Sequence, residues 1–173
     1  MTSIYLIGSL RNPKVREVAV ALRGAGYDVF DDWHSAGPEA DDHWQQYEKE
    51  RKRSYVEALN GYHANMVFDL DLEHLTRCNM AVLVLPAGKS GHLELGYMLG
   101  QGKPGFVLLN GEPERFDIMY KLATCVCESV DALLAVIGWP CKAVGVEADE
   151  QYNTREDEIA RSCRAYAREQ KWI

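Results

Sequence analysis

The chain has 173 residues, 47% of them hydrophobic and 26% charged, which suits one globular domain with a single sizeable core. Its formal net charge of −7 excludes the basic face that a nucleic-acid backbone needs, yet leaves room for a small phosphorylated ligand held by a few donors. No apolar run approaches the roughly 20 residues of a membrane span, and an apolar strand stands where a basic leader would, so a cytoplasmic protein with no membrane partner is expected.

Residues 3–7 form a short apolar run that stops at Gly8-Ser9, as a buried strand and tight turn would. Asn12 and Pro13 follow as an N-cap and first helical position, then Val15, Val18, Ala19 and Leu22 at helical spacing, and Gly24 to Gly26 as a stop. Tyr27 to Phe30 is a second strand, so the chain opens as a βαβ unit with a parallel sheet under helices. Asp31 to Pro38 reads as a loop and residues 39–63 as one polar helix, whose run Glu48-Lys49-Glu50-Arg51-Lys52-Arg53 is a solvated face. A helix over 69–78, a strand from Met80 to Leu85 and a helix from Lys89 to Gln101 come next. Strands at Phe106 to Leu109 and 123–127 and a helix over 129–137 complete the alternation. Gly138 to Tyr152 reads as a linker and 154–169 as a charged helix packing back on the domain. The five cysteines, Cys78, Cys125, Cys127, Cys141 and Cys163, are odd in number without CxxC spacing and read as free thiols.

This pattern predicts an α/β fold: a single-domain, doubly wound (Rossmann- or flavodoxin-like) parallel sheet flanked by helices, with a C-terminal helical extension. Ligands then bind beyond the C-terminal ends of the strands, where Gly8 to Arg11, Asp31 to His34 and Ala87 to Glu94 arrive. The last of these is the most informative. A strand ends at Pro86, a small-residue loop follows, and a helix N-terminus begins, an arrangement that favours an anionic group. Ser90 and Glu94 share one face of that helix. Leu93 and Leu95 set Glu94 in an apolar stretch, unlike an ordinary surface carboxylate. Gly88-Lys89-Ser90 is not a phosphate-binding Walker loop, because the first glycine of that motif would fall on Leu83. Gly8-Ser9-Leu10 likewise is no dinucleotide fingerprint.

Three segments resemble the nucleoside 2-deoxyribosyltransferase family, including its nucleoside 5'-monophosphate N-glycohydrolase branch. They are Ile4-Tyr5-Leu6-Ile7-Gly8-Ser9-Leu10-Arg11, then Asp71-Leu72-Glu73-His74-Leu75 with Met80 to Pro86, and Leu93-Glu94-Leu95-Gly96-Tyr97 with Gly102-Lys103-Pro104. The likeness runs over roughly residues 3 to 137, leaving 138–173 outside it. It implies that Glu94 attacks the anomeric carbon and forms a covalent sugar–enzyme intermediate. Asp71, with Asp69 as the near alternative, would orient the attack and the departing base. Tyr5 would hold the nucleophilic carboxylate, and Gly8 and Ser9 would line the sugar pocket. Arg11 resembles a phosphate-contacting arginine of the hydrolase branch. The serine that branch often carries six residues before the nucleophile is here Gly88, with Ser90 as a substitute from the next turn. Asp117-Ile118-Met119 matches the segment a neighbouring subunit supplies to the sugar's 5' end, which implies a homo-oligomer with shared sites.

The residues agree with that chemistry. A nucleobase leaves through an oxocarbenium-like state, and two carboxyls in one pocket permit double displacement. Trp33 and His34 stand where a base could stack, with Trp44 and Tyr55 able to close over it. His92 has no second histidine at ligand spacing, so neither metal nor organic cofactor is expected. Plainer roles stay open: Asp71 as a cap, Tyr5 as core, Arg11 as a solvated loop residue. The expected function is cleavage of a (2'-deoxy)nucleoside N-glycosidic bond, the sugar passing to another base or to water. A 5'-monophosphate N-glycohydrolase and a non-catalytic nucleotide-binding module are the alternatives.

Overall fold

The computed structural model describes residues 1–113 and 116–137, which lie within Met1–Trp139, the first of two units into which the chain divides. The expected linker over 138–152 and helix over 154–169, with Cys141 and Cys163, fall outside the described residues. Strands β1 (Ser3–Ile7), β2 (Asp28–Phe30), β3 (Met80–Val84), β4 (Gly105–Leu108) and β5 (Cys125–Cys127) form one sheet in the order β2-β1-β3-β4-β5, with every pair parallel. The α-helices are α1 (Lys14–Gly24), α2 (Ala40–Glu50), α3 (Tyr55–Leu59), α4 (Tyr62–Arg77), α5 (Lys89–Gly100) and α6 (Val130–Ile137). Cys78, Cys125 and Cys127 are free thiols.

A parallel sheet joined by helical crossovers is covered on both faces, and the strand sequences alternate accordingly. Ile4, Leu6, Val82, Val84, Phe106 and Leu108 point to one face, against Val15, Val18, Ala19 and Leu22 of α1 and Leu133 and Ile137 of α6. Tyr5, Ile7, Ala81, Leu83 and Val107 point to the other, against Leu75 of α4 and Leu95 and Met98 of α5. The expected doubly wound sheet is therefore present. Its helices divide so that the one leaving β1 and the one leaving β3 lie on opposite faces, and a crevice opens between their loops.

Asn12 ties those two loops together. It is almost fully buried, and its side-chain amide donates to the carbonyl oxygens of Val84 (3.3 Å) and Pro86 (3.2 Å). Its Oδ1 accepts from the Lys14 N–H (3.1 Å) in a turn that leads into the helix; Pro13, expected as the first helical residue after an Asn12 cap, is itself the N-cap of α1, which starts at Lys14.

The stretch 39–63 is not one helix. Lys52 takes a positive φ of 57°, which ends α2, and Ser54 starts α3 through a capping box with Glu57. Gly61 then precedes α4, where a Cβ would lie 2.9 Å from the Ala58 carbonyl oxygen. The helix expected over 69–78 thus begins at Tyr62. The loop Asp31 to Pro38 contains a 3-10 turn over Asp32–Ala36. In the charged run, Glu48 is buried rather than solvated and pairs with Arg53 (3.2 Å), which anchors the inner face of α2.

Close packing at Gly8 yields a test. A Cβ there would lie 2.5 Å from Val15 Cγ2, whereas one at Gly24 meets nothing within 4 Å. Gly8→Ala should lower stability by about 1–3 kcal/mol through overpacking, while Gly24→Ala should leave it unchanged or raise it by up to about 1 kcal/mol. Urea denaturation of the two variants, with equal m-values, checks the contrast.

Candidate active site

The site grows from the alternation in β1. Tyr5 points toward the α4 and α5 side, where its ring tilts against Phe30 with centroids 5.2 Å apart, and Phe30 stacks on His74 of α4 at 3.6 Å. Helical spacing puts Asp71, His74 and Leu75 on the inward side of α4, and Cys78 follows its end, also buried. Asp69, two positions back, falls on the opposite side and is exposed. Lys103 fixes the end of α4 by donating to the carbonyl oxygens of Leu75 (2.8 Å) and Thr76 (2.6 Å).

Gly91 seats α5 on the sheet: a Cβ there would lie 2.9 Å from Ile7 Cγ2 and 3.2 Å from Leu83 Cδ1. Gly91, Leu95 and Met98 form the buried stripe of α5, and Glu94 lies half-buried at its margin. The apolar setting expected from both flanking leucines is only half present. Leu95 is buried, but Leu93 is 76% exposed because adjacent helix positions diverge by about 100°.

Glu94, Asp71 and Tyr5 come together where β1, α4 and α5 meet. Burial, and then the neighbouring Asp71 charge, push the Glu94 carboxyl up to about 7. Burial also raises Asp71, opposed by the Tyr5 hydroxyl, which donates toward it, and by the His74 imidazole. Burial and the two carboxylates, Glu94 first, raise the Tyr5 phenol well above its ordinary range, so it stays a protonated donor. Tyr5 lies close enough to both Glu94 and Asp71 for the charge of each to act on its phenol. Asp71 Oδ1 is buried with no hydrogen-bond partner among the described residues.

The remaining candidates surround this centre unequally. Gly8 touches Trp33 and Val15, and the Trp33 indole donates to the Leu6 carbonyl oxygen (2.8 Å), closing the end of β1 where β2 no longer reaches. Ser9 Oγ accepts from the Arg11 N–H (3.2 Å), shaping the loop after β1. The exposed Arg11 guanidinium pairs with Asp42 of α2 at 2.5 Å. Ser90 is exposed, and a Cβ on Gly88 would lie 4.0 Å from its Oγ, so Ser90 occupies the neighbourhood of the expected serine. Trp44 lies on the inner stripe of α2 with Glu48, whereas Tyr55 is exposed and does not close over the crevice.

Asp117 caps a 3-10 turn over Ile118–Leu122 by accepting from the Met119 N–H (2.9 Å). Phe116, Ile118, Met119 and Leu122 around it are all strongly exposed rather than folded into this chain's core. A contact not legible in the sequence holds this turn to α5. His92 Nδ1 donates to the Gly88 carbonyl oxygen (2.8 Å), leaving Nε2 to accept from the Tyr120 hydroxyl (2.9 Å). Among the described residues no group of three or more His, Cys, Asp or Glu side chains is gathered to hold a metal, and no helix is long and apolar enough to cross a membrane.

Neither a family model nor a curated protein matches the chain. Solved structures do. A 2-deoxyribosyltransferase from the psychrotolerant bacterium Bacillus psychrosaccharolyticus superposes with a TM-score of 0.52 at 20% identity, over 77% of this chain and 90% of that one. A conserved protein from Enterococcus faecalis V583 gives 0.50 at 17% identity, over 78% and 96%. A Clostridium botulinum CMP N-glycosidase gives 0.47 at 12% identity, over 80% and 100%. The first two similarities show that this chain shares the fold of that 2-deoxyribosyltransferase.

The electrostatics predict a stability signature. Glu94 is raised from 4.5 to about 7 in the folded protein, so folding favours its neutral form. That contribution is complete below pH 4.5 and is lost as pH rises through about 7. The gap corresponds to at most about 3 kcal/mol. Glu94→Gln should therefore stabilise the protein at pH 8 and make little difference at pH 4. Thermal melts of both proteins at the two pH values check this, and an equal effect at both would reject it.

Proposed function

We propose that this protein cleaves the N-glycosidic bond of a nucleoside or nucleotide, with Glu94 as nucleophile and Asp71 and Tyr5 as its partners. The observation that carries the reading is the convergence of these three side chains at the C-terminal edge of the sheet. Two carboxyls brought together out of water are costly, and folds keep such arrangements where chemistry uses them. A non-catalytic nucleotide-binding module would not require this convergence, so the enzyme reading is preferred.

In the proposed step a Glu94 carboxylate oxygen bonds to the anomeric carbon. The carbon–nitrogen bond breaks, and its electron pair goes to the departing base. Asp71, held by Tyr5, orients the sugar and base. A second base or a water molecule then attacks the same carbon, gives up its N–H or O–H proton to the departed base anion or to solvent, releases the Glu94 carboxylate and completes a double displacement. A second base yields a new nucleoside, and water yields the free sugar. The Tyr5 phenol, held protonated, supplies a fixed donor rather than a proton shuttle.

The nucleoside reading stands ahead of the monophosphate one for a specific reason. Arg11 already faces the Asp42 carboxylate, which a 5'-phosphate would have to displace. Asp117 would also repel a phosphate, while a 5'-hydroxyl could donate to it. The exposed apolar residues around Asp117 support a homo-oligomer in which this turn completes a neighbour's site, because such side chains are seldom left in water. Gly96 and Gly100 of α5, which have open space at their Cβ positions, are consistent with a close approach by another chain.

Glu94→Gln should abolish turnover while keeping the fold, and mass spectrometry of the trapped wild-type protein should find the sugar on Glu94. For the wild type, kcat/KM should fall about tenfold per pH unit below about 7, where the nucleophile becomes protonated. Burial and, after it, the Asp71 charge raise Glu94; Asp71→Asn removes only the second, so any residual activity should show its acid limb at somewhat lower pH. An adduct on another residue, or a limb unmoved by Asp71→Asn, would count against these roles.

The shared site has its own test. Glu94→Ala and Asp117→Ala chains should each be inactive and should recover part of the activity when mixed, since a hybrid oligomer contains one site with both residues. A monomer by sedimentation, with no recovery on mixing, would rule this out.

A further inference from the structure

The first turn of α5 has little in its own sequence to keep it in place. Gly88, at the N-cap, offers no side-chain acceptor, no acid stands in the turn, and Gly91 lowers its helix propensity. Gly91, Leu95 and Met98 form the stripe that faces the sheet. Glu94 and His92 are two positions apart, about 200° around the helix, so they leave it on opposite flanks of that stripe. Glu94 faces the α4 side, where the Asp71 charge acts on it. His92 faces the other side, toward the 3-10 turn over Ile118–Leu122, which packs beside β5. Its Nδ1 donates to the Gly88 carbonyl oxygen (2.8 Å), its Nε2 accepts from the Tyr120 hydroxyl (2.9 Å), and the two rings lie nearly parallel with centroids 5.8 Å apart. Tyr120 is the foot of its turn: among residues 116–122 it alone is not exposed, and its ring packs on the cluster that α4 and α5 cover. Burial, and then the Asp117 charge, raise its phenol, so it stays a protonated donor.

We propose that Tyr120, acting through His92, is a positioning residue for Glu94: it braces the first turn of α5 from the flank opposite Asp71. The catalytic consequence of this brace rests on the N-glycosidic reading above. An ionised Glu94 is repelled by an ionised Asp71, and the force on α5 points away from α4. The sheet beneath resists it only through apolar contacts along the stripe, which are non-directional and let a helix roll. The chain from Tyr120 through His92 to the Gly88 carbonyl resists it in a set direction, because hydrogen bonds weaken steeply as their angles change. It ends on a loop that is itself tied down, since the Asn12 amide donates to the Pro86 carbonyl oxygen. A roll that takes Glu94 away from Asp71 also takes it away from the anomeric carbon, and a misplacement of about 1 Å can cost roughly a hundredfold in rate. If His92 served only to anchor the Asp117 turn, its loss would be felt in whichever site receives that turn. A brace acts on the Glu94 of its own chain.

The test uses full-length Tyr120→Phe, which removes only the hydroxyl, and His92→Leu, which removes both ring nitrogens. Each should lower kcat about tenfold on the best nucleoside, with KM changed by less than about twofold. The double variant should lose no more than either single one, since both break the same contact. Freed from its place beside Asp71, Glu94 should ionise more readily, so the acid limb of kcat/KM should lie below the wild type's, which is expected at about 7. A second readout needs no turnover: the gain in melting temperature that Glu94→Gln gives at pH 8 should be smaller in the Tyr120→Phe background. Mixing Tyr120→Phe chains with Glu94→Ala chains should restore no activity beyond that of Tyr120→Phe alone, because the intact Glu94 of a hybrid stays on the unbraced chain. Recovery on mixing would assign the loss to the Asp117 turn and overturn the brace. An unmoved kcat and acid limb in both single variants would overturn it too, leaving the N-glycosidic reading standing. If wild-type protein cleaves no nucleoside or nucleotide, that reading falls, and a Glu94→Gln gain equal in both backgrounds would then overturn the brace as well.

Discussion

The burial of two carboxyls around one phenol organises this molecule. Glu94 and Asp71 arrive on separate helices, burial raises the cost of ionising both, and the Asp71 charge raises it further for Glu94. Without a compensating framework they would move apart or turn to solvent. Three features oppose that. The nearby Tyr5 hydroxyl eases the ionisation of Asp71, the Phe30–His74 stack fixes the inward side of α4, and Gly91 lets the first turn of α5 press on Ile7 and Leu83. The strain is local, while the strands on either side of it are fully buried and supply the stability that tolerates it.

The topology decides why this cluster lies where it does. In a 2-1-3-4-5 parallel sheet the crossovers on either side of β1 and β3 separate, so the loops that follow those strands part instead of packing. A buried Asn12 spans that gap, joining the start of α1 to the backbone after β3. The crevice is thus held open at a set width by backbone geometry and one amide. The connection from β2 to α2 lies beyond it, fastened through Trp33, Arg11–Asp42 and Glu48–Arg53. The carboxyls thus stand on helices rooted in the sheet, while the aromatic side chains of Trp33, His34 and Trp44 stand on a separate connection.

A second exposed feature stands apart from the crevice. The turn carrying Asp117 is held to α5 by the His92–Tyr120 hydrogen bond, with His92 two residues from Glu94. A surface of apolar side chains around one acid is thereby given a fixed relation to α5. A rigid attachment is what a segment needs if it is to enter another copy's site at a constant depth.

Periodicity in the sequence determined the parallel sheet, its two covered faces and the inner stripe of α1, because burial of alternate strand residues and of every third or fourth helical residue is written locally. The strand, small-residue loop and helix start also isolated Glu94, whereas Asp71 and Tyr5 came forward only through the resemblance to the nucleoside 2-deoxyribosyltransferase family. Periodicity misjudged 39–63, where polar residues continue a helical composition past a left-handed Lys52 and a capping Ser54, and it assigned Glu48 to solvent because a pairing with Arg53 depends on that chain reversal. Asp69 and Asp71 were separated only when the face of α4 that meets β1 was known. Leu93 was exposed and Leu95 buried for the same reason. The partners of Asn12 and the His92–Tyr120 bond had no signal in the sequence. Each is a relation between side chains and groups that are distant along the chain or on separate elements, and hydrogen bonding is directional, so only the tertiary arrangement decides whether a donor finds an acceptor.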